Sequence, residues 1–333
     1  LNETNQVNEP HTVTVTVTKD PGTGPVPAAG EHVDFTLTDG GGAVSVLNAA
    51  ASTCDEAGPN TDVNGQCVIV FNSASPGTVT IHAEVDVTID SVTMHRESGD
   101  GLSGDSADAN KKYEGGRIIV EKVTVGGDDQ FTFDTDYKVD FQLGNGGTDD
   151  SGFIPTGAHS VSEINIPSGW DLTSVVCNSS LGGTENNTAI GLTDGEIVTC
   201  TFTNTKRAQI TIVKDASPND AQNFVFGGTL GAFTLDDDAG VVDPVDPLAQ
   251  WPNSQTFSNQ IPGSYTVTET VPNAFWEFGG VTCVNTVGGA AYPMSAVTNG
   301  MTVNLAPGAD VTCTFVNNKL GPTRTQGFWQ TPT

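Results

Sequence analysis

The sequence VTCTFTN at residues 198–204 recurs near the end of the chain as VTCTFVN at residues 311–317. Side chains alternate between the two faces of a β-strand, so each copy places Val, Cys, Phe and Asn on one face and mostly threonines on the other. Both copies therefore predict the last strand of a β-domain. An asparagine on the apolar face is unusual, because a buried amide costs free energy unless it has a hydrogen-bond partner.

The composition is that of an all-β protein with an acidic surface. Among the 333 residues, 12 are Lys or Arg and 40 are Asp or Glu, which gives a formal net charge of -28. Helical periodicity is hard to find, and threonine, valine and glycine are abundant. The negative charge makes nucleic acid and anionic membranes poor partners. No apolar run is long enough to span a membrane, and no signal peptide precedes Leu1, so we expect a mature or trimmed form.

The six cysteines fall two to each of three segments, and none belongs to a Cys-x-x-Cys pair. Zinc ligands and free thiols are alternatives, but local pairs of this kind are more typical of disulfides. We therefore predict a secreted, extracellular protein. Its predicted disulfides are Cys54–Cys67, Cys177–Cys200 and Cys283–Cys313.

The first 95 residues contain several strands with strict alternation. HTVTVTVTK (11–19), HVDFTLT (32–38) and TVTIHAEVDVTI (78–89) each carry apolar side chains at every second position. With Gly, Pro and Asn turns between them, they predict a β-sandwich over residues 1–95. The order of these strands, together with a D-x-N-G-Q turn, resembles the bacterial Ig-like domains of invasin- and intimin-type surface proteins. That resemblance implies a stalk module.

Residues 96–117 are rich in Gly, Ser and Asp and have few apolar side chains. This composition predicts a linker between domains. Asp100, Asp105 and Asp108 offer an alternative, a calcium site at the joint. Their spacing matches no known calcium loop, so a solvated linker is the preferred interpretation.

Residues 118–207 and 208–319 form two related units. IIVEK in the first unit corresponds to ITIVK in the second, and HSVSEINIPSGW corresponds to YTVTETVPNAFW. Counting seven residues from Glu163 and from Glu269 pairs Trp170 with Trp276, whereas counting from Pro167 and Pro272 pairs Trp170 with Phe275. The alignment of the two units is therefore open by one step.

Alternation places three polar side chains of each unit on apolar strand faces. Taken singly, a lysine at a strand end can extend into solvent, a glutamate can cap a turn and an asparagine can begin a loop. The same three residue types in the same order in both units indicate a shared site. The two sets are Lys122, Glu163 and Asn204, and Lys214, Glu269 and Asn317.

The two units resemble the prealbumin-like (Cna-B/SpaA-type) domains of bacterial surface proteins and pilins. The resemblance rests on the motifs I-x-V-x-K, Y-T-V-T-E-x-x-P and F-x-N, from which the first unit departs at His159 and Ser162. It implies that the matching lysine and asparagine can join in an intramolecular isopeptide bond, with the glutamate assisting. The implied pairs are Lys122–Asn204 with Glu163, and Lys214–Asn317 with Glu269.

Two alternatives to the bond stay open. The lysines can instead be hydrogen-bonded or reach solvent, because the cysteines already tie the last strand. Asn318 lies next to Asn317 but points to the opposite face, which makes it the less suitable partner.

The remaining candidates predict no catalytic, cofactor or metal site. The five histidines are scattered singly, and no pair has metal-ligand spacing in the sequence. The acidic runs at 127–129, 149–150 and 236–238 predict solvated loops, with calcium as an alternative. Trp170, Trp251 and Trp276 could stack against a sugar, but packing in the core is preferred. The histidines are His11, His32, His82, His95 and His159.

Residues 320–333 follow the last domain as a tail that carries GFW at 327–329. The tail resembles the GFW/GYW segments that end some secreted proteins of this kind. Its adjacent aromatic side chains favour burial, either on a neighbouring subunit or on the chain's own domain.

Together these features predict an all-β rod of tandem Ig-like and prealbumin-like β-sandwiches without enzymatic activity. The predicted function is structural: a stalk or fibre subunit on a cell surface, pilus-like or surface-layer-like, that self-associates. One alternative is an adhesin for a host protein or a carbohydrate. Another is an accessory region of a larger secreted enzyme, because the fold is compatible with all three.

Overall fold

The computed structural model describes residues 2–54, 57–237 and 251–321. These residues form strands, turns and loops without any helix, which confirms the all-β class. It follows that no long apolar helix capable of crossing a membrane occurs among them. Buried apolar side chains gather in three separate cores, so the chain consists of three units in tandem. Most of the predicted tail, with Phe328 and Trp329, lies outside the described residues.

The first unit contains two packed sheets. One sheet has the order β1-β10-β8-β5 with β9 beside β8, the other has the order β2-β7-β6, and β3 pairs with β4. Its strands are β1 (Asn2–Gln6), β2 (His11–Thr16), β3 (Thr18–Lys19), β4 (Val26–Pro27), β5 (Val33–Gly40), β6 (Ser45–Leu47), β7 (Gln66–Ser73), β8 (Gly77–Ile89), β9 (Val92–Glu97) and β10 (Ala109–Glu114).

The structure differs from the predicted linker over residues 96–117. Strand β10 lies antiparallel to β8 and parallel to β1, and its residues belong to the first core. Tyr113 is fully buried there and donates a hydrogen bond from its hydroxyl to the carbonyl of Phe71 at 3.2 Å. The inward positions of β10 are Ala109, Lys111 and Tyr113, so a lysine stands between a small apolar residue and a tyrosine. The usual apolar alternation of a strand was therefore absent from the sequence.

The second unit has a five-stranded sheet of order β14-β11-β20-β17-β18, a sheet of order β13-β12-β16, and the pair β15-β19. Its strands are β11 (Arg117–Val125), β12 (Phe131–Thr135), β13 (Phe141–Leu143), β14 (Thr148–Asp150), β15 (Gly157–His159), β16 (Val161–Ile164), β17 (Trp170–Ser179), β18 (Thr184–Glu185), β19 (Ile190–Leu192) and β20 (Ile197–Lys206).

The third unit repeats this plan with sheets of order β24-β21-β29-β26 and β23-β22-β25-β28-β27. Its strands are β21 (Ala208–Ser217), β22 (Phe224–Gly228), β23 (Phe233–Leu235), β24 (Ser254–Gln260), β25 (Gly263–Thr270), β26 (Trp276–Asn285), β27 (Met294–Val297), β28 (Gly300–Leu305) and β29 (Asp310–Lys319).

In both repeats the first and last strands lie side by side and parallel. β11 pairs with β20 and β21 pairs with β29, and each last strand is bordered on its other edge by an antiparallel strand, β17 or β26. Trp170 opens β17 opposite Lys206, as Trp276 opens β26 opposite Lys319. This settles the alignment of the repeats, because Trp170 corresponds to Trp276 and not to the exposed Phe275.

The six cysteines form disulfides in the three predicted pairs. In the repeats, each disulfide joins directly opposite residues of the last strand and its antiparallel neighbour. The closed segments span 23 and 30 residues. In the chain-entropy model, a loop of that length stabilises the folded state by about 3 to 4 kcal/mol.

The second unit contacts the other two units at opposite ends of β11. Near the start of β11, the first unit meets the second: Oε1 of Gln6 accepts a hydrogen bond from the backbone N–H of Thr156 at 2.7 Å. Near the end of β11, the second unit meets the third: the backbone N–H of Gly308 donates a hydrogen bond to the carbonyl of Lys206 at 3.0 Å. Gly308 also lies so close to Gly126 that a Cβ atom would not fit. The three units therefore follow one another in series.

Candidate functional site

The second unit brings Lys122, Glu163 and Asn204 together, as the sequence predicted. Nζ of Lys122 donates a hydrogen bond to Oδ1 of Asn204 at 2.6 Å and lies 4.0 Å from Oε1 of Glu163. The side chains of Lys122 and Glu163 are 0% exposed, and Asn204 is equally buried. The three groups come from β11, β16 and β20, so the site connects both sheets of the unit.

The third unit has the same arrangement with Lys214, Glu269 and Asn317. Nζ of Lys214 donates to Oδ1 of Asn317 at 3.0 Å, and Nδ2 of Asn317 donates to Oε1 of Glu269 at 2.6 Å. None of the three residues is more than 3% exposed. The asparagine thus lies between the amine and the carboxyl group.

The backbone of the last strand also holds each lysine. Lys122 lies opposite Phe202 in the parallel pair, and its Nζ donates to the Phe202 carbonyl at 3.3 Å. Lys214 donates in the same way to the Phe315 carbonyl at 3.2 Å. A third bond goes to the carbonyl of the residue after each lysine, at 3.1 and 2.9 Å. Each Nζ therefore has three oxygen acceptors within hydrogen-bond distance. A charged ammonium group can donate to all three, whereas a neutral amine donates to two and keeps one lone pair.

Each amine is also covered by an aromatic ring that the sequence analysis missed. Nζ of Lys122 lies 4.1 Å from the ring centre of Phe131, and Nζ of Lys214 lies 4.1 Å from that of Phe224. Trp170 and Trp276 pack against these rings in T-shaped, edge-to-face contacts. The repeated F-x-F sequence, at 131–133 and 224–226, was the signal that could have identified them. Rings at this distance attract a cation and exclude water.

Burial shifts the pKa of the lysines and the glutamates towards their neutral forms. Loss of solvent lowers the pKa of Lys122 and of Lys214, although the nearby glutamate opposes this effect. Loss of solvent also raises the pKa of Glu163, and it raises the pKa of Glu269 to about 7. Within the described residues, neither carboxylate oxygen of Glu163 has a hydrogen-bond partner, nor does Oε2 of Glu269. An unpaired buried carboxylate is costly, so protonation is favoured.

This arrangement can support acyl transfer between side chains. An uncharged amine is a nucleophile, and here it touches the oxygen of a carboxamide. A protonated carboxyl group beside the same amide can move a proton to the nitrogen that leaves. Bulk water, which would compete with the amine, is excluded by the burial of all three groups.

The other candidate residues have different roles in the structure. Trp170 and Trp276 are buried in the cores, so they do not form the sugar-stacking surface considered from the sequence. Asp105 pairs with Arg96, and Asp108 accepts a hydrogen bond from His82. The histidines are not all single, because the β8–β9 hairpin brings His82 and His95 to one carboxylate cluster.

Replacing Glu269 with Gln tests the buried state of this carboxyl group. Its raised pKa means that the folded state holds the proton more tightly than the unfolded chain. The resulting stabilisation is complete below the unfolded pKa and is lost as the pH rises through about 7. Between about pH 4.5 and pH 8, the free energy of unfolding of the third unit should fall by about 3 kcal/mol more in the wild type than in Glu269→Gln.

Denaturant unfolding at a series of pH values measures this difference. Glu277→Gln, at an exposed position of β26, is the matched control and should follow the wild-type profile. Parallel profiles for the wild type and Glu269→Gln would contradict the burial of the carboxyl group.

Comparison with known proteins agrees with the division of residues 118–319 into two related units. The family model of the prealbumin-like fold domain matches residues 118–206 and 210–319. A search of curated proteins found no match.

Among solved structures, similar chains include two major pilins and an adhesin fragment. The T-13 major pilin of Streptococcus pyogenes has 11% identity and a TM-score of 0.27, over 60% of this chain and 98% of the pilin. The BcpA major pilin subunit of Bacillus cereus has 13% identity and a TM-score of 0.26, over 93% and 100%. The C-terminal fragment of the SpaC pilus adhesin of Lactobacillus rhamnosus GG has 16% identity and a TM-score of 0.24, over 64% and 99%.

The TM-scores are too low for these structures to support a closer comparison, so the assignment rests on the family match. That match covers both repeats and more than half of the chain, from the strand that carries each lysine to the strand that carries each asparagine. The chain belongs to the prealbumin-like fold domain family.

Proposed function

We propose that the chain is a structural subunit, or a stalk segment, of an extracellular fibre on a bacterial surface. The observation that carries this proposal is the placement of one buried Lys–Glu–Asn set between the first and last strands of each repeat. A covalent bond at that place lets tension pass through a domain without unfolding it. The disulfide in each unit supports an oxidising, extracellular environment.

We further propose that the division of the chain follows its three cores. The first unit, which we propose to be a bacterial Ig-like stalk module, then extends through β10 to about residue 115. The two prealbumin-like repeats follow as 118–207 and 208–319. This division is supported by the burial of Tyr113 in the first core and by the series of contacts at the two ends of β11.

In each repeat we propose one self-modifying step that joins the lysine to the asparagine. The neutral Nζ attacks Cγ of the asparagine, a new Nζ–Cγ amide bond forms, and the Cγ–Nδ2 bond breaks. The glutamate gives its proton to the departing nitrogen and receives one from the attacking amine, so ammonia leaves and the carboxyl group is restored. No oxidant, metal or other reactant is consumed.

The two sites support this step through different contacts of the glutamate, with the amide in the third unit and with the amine in the second. In the third unit, Glu269 is in hydrogen-bond contact with Nδ2, the nitrogen that leaves. In the second unit, the 2.6 Å contact holds the amine of Lys122 against the amide of Asn204, while Glu163 lies beside the amine. Holding reacting groups in contact removes most of the entropic barrier to such a reaction.

The proposed bonds would change how each repeat responds to force. Lys122 and Asn204 are 82 residues apart, and Lys214 and Asn317 are 103 residues apart. With the bond in place, tension passes from the first strand to the last, and the residues between them carry no load. The same path makes the repeats suitable segments of a fibre.

Single-molecule pulling under reducing conditions tests the proposed function. The wild-type repeats should show no long unfolding steps. Asn204→Ala should restore a step of about 280 Å, and Asn317→Ala one of about 350 Å, from about 3.4 Å of extended chain per residue. Asn318→Ala, next to Asn317 on the other face of β29, is the control and should behave as the wild type.

Long steps in the wild type equal to those of Asn204→Ala and Asn317→Ala would contradict a role in bearing tension. Steps of the predicted length in only one variant would restrict the role to that repeat.

Electron microscopy of the protein isolated from the surface of producing cells tests the assembly. We expect filaments in which this chain is the repeating subunit, because units in series with tension-resistant repeats suit end-to-end association. Dispersed monomers alone, even at high protein concentration, would contradict assembly into a fibre.

A further inference from the structure

The β8–β9 hairpin of the first unit carries another cluster of chemically active side chains, in a different unit from the two lysine sites. Each strand contains the pattern His-x-Glu, as His82-x-Glu84 in β8 and His95-x-Glu97 in β9. The antiparallel register places Glu84 opposite Glu97. Since positions two apart share a face, all four side chains lie on the same side of the hairpin.

The free ring nitrogens of both histidines face these glutamates. Nε2 of His82 lies 3.5 Å from Oε2 of Glu97, and Nε2 of His95 lies 3.7 Å from Oε2 of Glu84 and 3.8 Å from Oε2 of Glu97. One ligand atom each from His82, Glu84 and Glu97 can be chosen so that all lie within 4.8 Å of one another.

The other ring nitrogen of each histidine is held by an aspartate. Nδ1 of His82 is 3.0 Å from Oδ1 of Asp108, and Nδ1 of His95 is 2.9 Å from Oδ1 of Asp86. An ionised carboxylate only accepts hydrogen bonds, so Nδ1 must carry the proton. In the neutral imidazole, the lone pair then lies on Nε2 and points to the glutamates. Histidines that bind metals are commonly oriented in this way.

The histidine–aspartate distances and the histidine–glutamate distances indicate different interactions. Those to the aspartates are ordinary hydrogen bonds, whereas those from Nε2 to the glutamates exceed the length of about 2.7–2.9 Å that charge-assisted hydrogen bonds favour. Ligands on a tetrahedral zinc ion, with bonds of about 2.0–2.1 Å, are separated by about 3.3–3.4 Å. The three histidine–glutamate separations of 3.5, 3.7 and 3.8 Å are therefore only a few tenths of an ångström wider than ligand spacings on one ion. His95 lies outside the group whose atoms are all within 4.8 Å of one another, and it joins the site through its contacts to both glutamates.

We propose that His82, Glu84, His95 and Glu97 bind one divalent transition-metal ion of the Zn²⁺ type. Two imidazole nitrogens and two carboxylate oxygens suit Zn²⁺, whereas Ca²⁺ requires six to eight oxygen ligands. The four side chains are 30–53% exposed, so an ion can reach them without opening the fold. The surrounding negative charge of the chain also favours a cation.

Binding at this site would fasten the segment that leads from β9 to β10. Asp108 lies in that segment, and it also accepts a hydrogen bond from the hydroxyl of Ser98 at 2.6 Å. An ion on His82 would strengthen the bond between His82 and Asp108, because a metal-bound imidazole is a better donor. The metal site is independent of the isopeptide bonds, so either proposal can fail without the other.

Calorimetric titration of the full chain with zinc chloride tests the site. The wild type should bind one equivalent of Zn²⁺ at this site, and a tenfold excess of Ca²⁺ should not displace it. His82→Gln and His95→Gln should each lower the affinity at least tenfold. Asp108→Asn, which removes only the orienting carboxylate, should lower it roughly 10- to 100-fold.

His32→Gln is the matched control. His32 also lies beside a carboxylate of the first unit, with Nε2 3.1 Å from Oδ1 of Asp34, but it is outside the cluster. This variant should bind Zn²⁺ as the wild type does. Visible spectra of the Co²⁺ form should show the intense bands of tetrahedral coordination in the wild type and in His32→Gln.

Equal Zn²⁺ affinity in the wild type, His82→Gln and His95→Gln would overturn the proposal, as would displacement by Ca²⁺. In that case the ion is held by the general negative charge, and the cluster is a network of ion pairs. Circular dichroism in metal-free buffer checks that the variants fold. His95 is the most exposed of the four ligands, so His95→Gln decides the matter if His82→Gln is unstable.

Discussion

The contact between a buried lysine amine and a buried asparagine amide organises both repeats of this protein. Such an amine is costly to bury, and its position is maintained because the last strand supplies two acceptors, the asparagine oxygen and a backbone carbonyl. An aromatic ring covers it at the same distance in both repeats. The parallel pairing of first and last strands makes the contact possible, because it brings the end of the lysine strand beside the end of the asparagine strand.

The last strand of each repeat is therefore held from both sides. On one edge, a disulfide joins it to its antiparallel neighbour, and four residues later the asparagine meets the lysine of its parallel neighbour on the other edge. These ties act on different strands, so one does not replace the other. The disulfide protects the segment between two adjacent strands. The proposed bond between lysine and asparagine would enclose nearly the whole repeat, so only this second tie would change the path of tension through the domain.

Much of this site could be predicted from the sequence because it is repeated. Alternation placed Lys122 and Asn204 on apolar faces, and the second copy showed that this was not chance. Other features depend on pairings that spacing along the chain does not reveal. Strand β10 was hidden because its inward positions include Lys111 and Tyr113, and His82 and His95 become neighbours only through the register of the β8–β9 hairpin. Phe131 and Phe224 were overlooked because the sequence pattern marks a phenylalanine only as a core residue and does not show that its ring covers a lysine amine.

The central claim is that the lysine and asparagine of each repeat become covalently joined. Intact mass spectrometry of the reduced protein tests it most directly, because each bond releases one ammonia, about 17 Da. The account predicts a mass lower than the encoded mass by two such losses, about 34 Da in all. A reduced protein whose mass equals the encoded mass would contradict it.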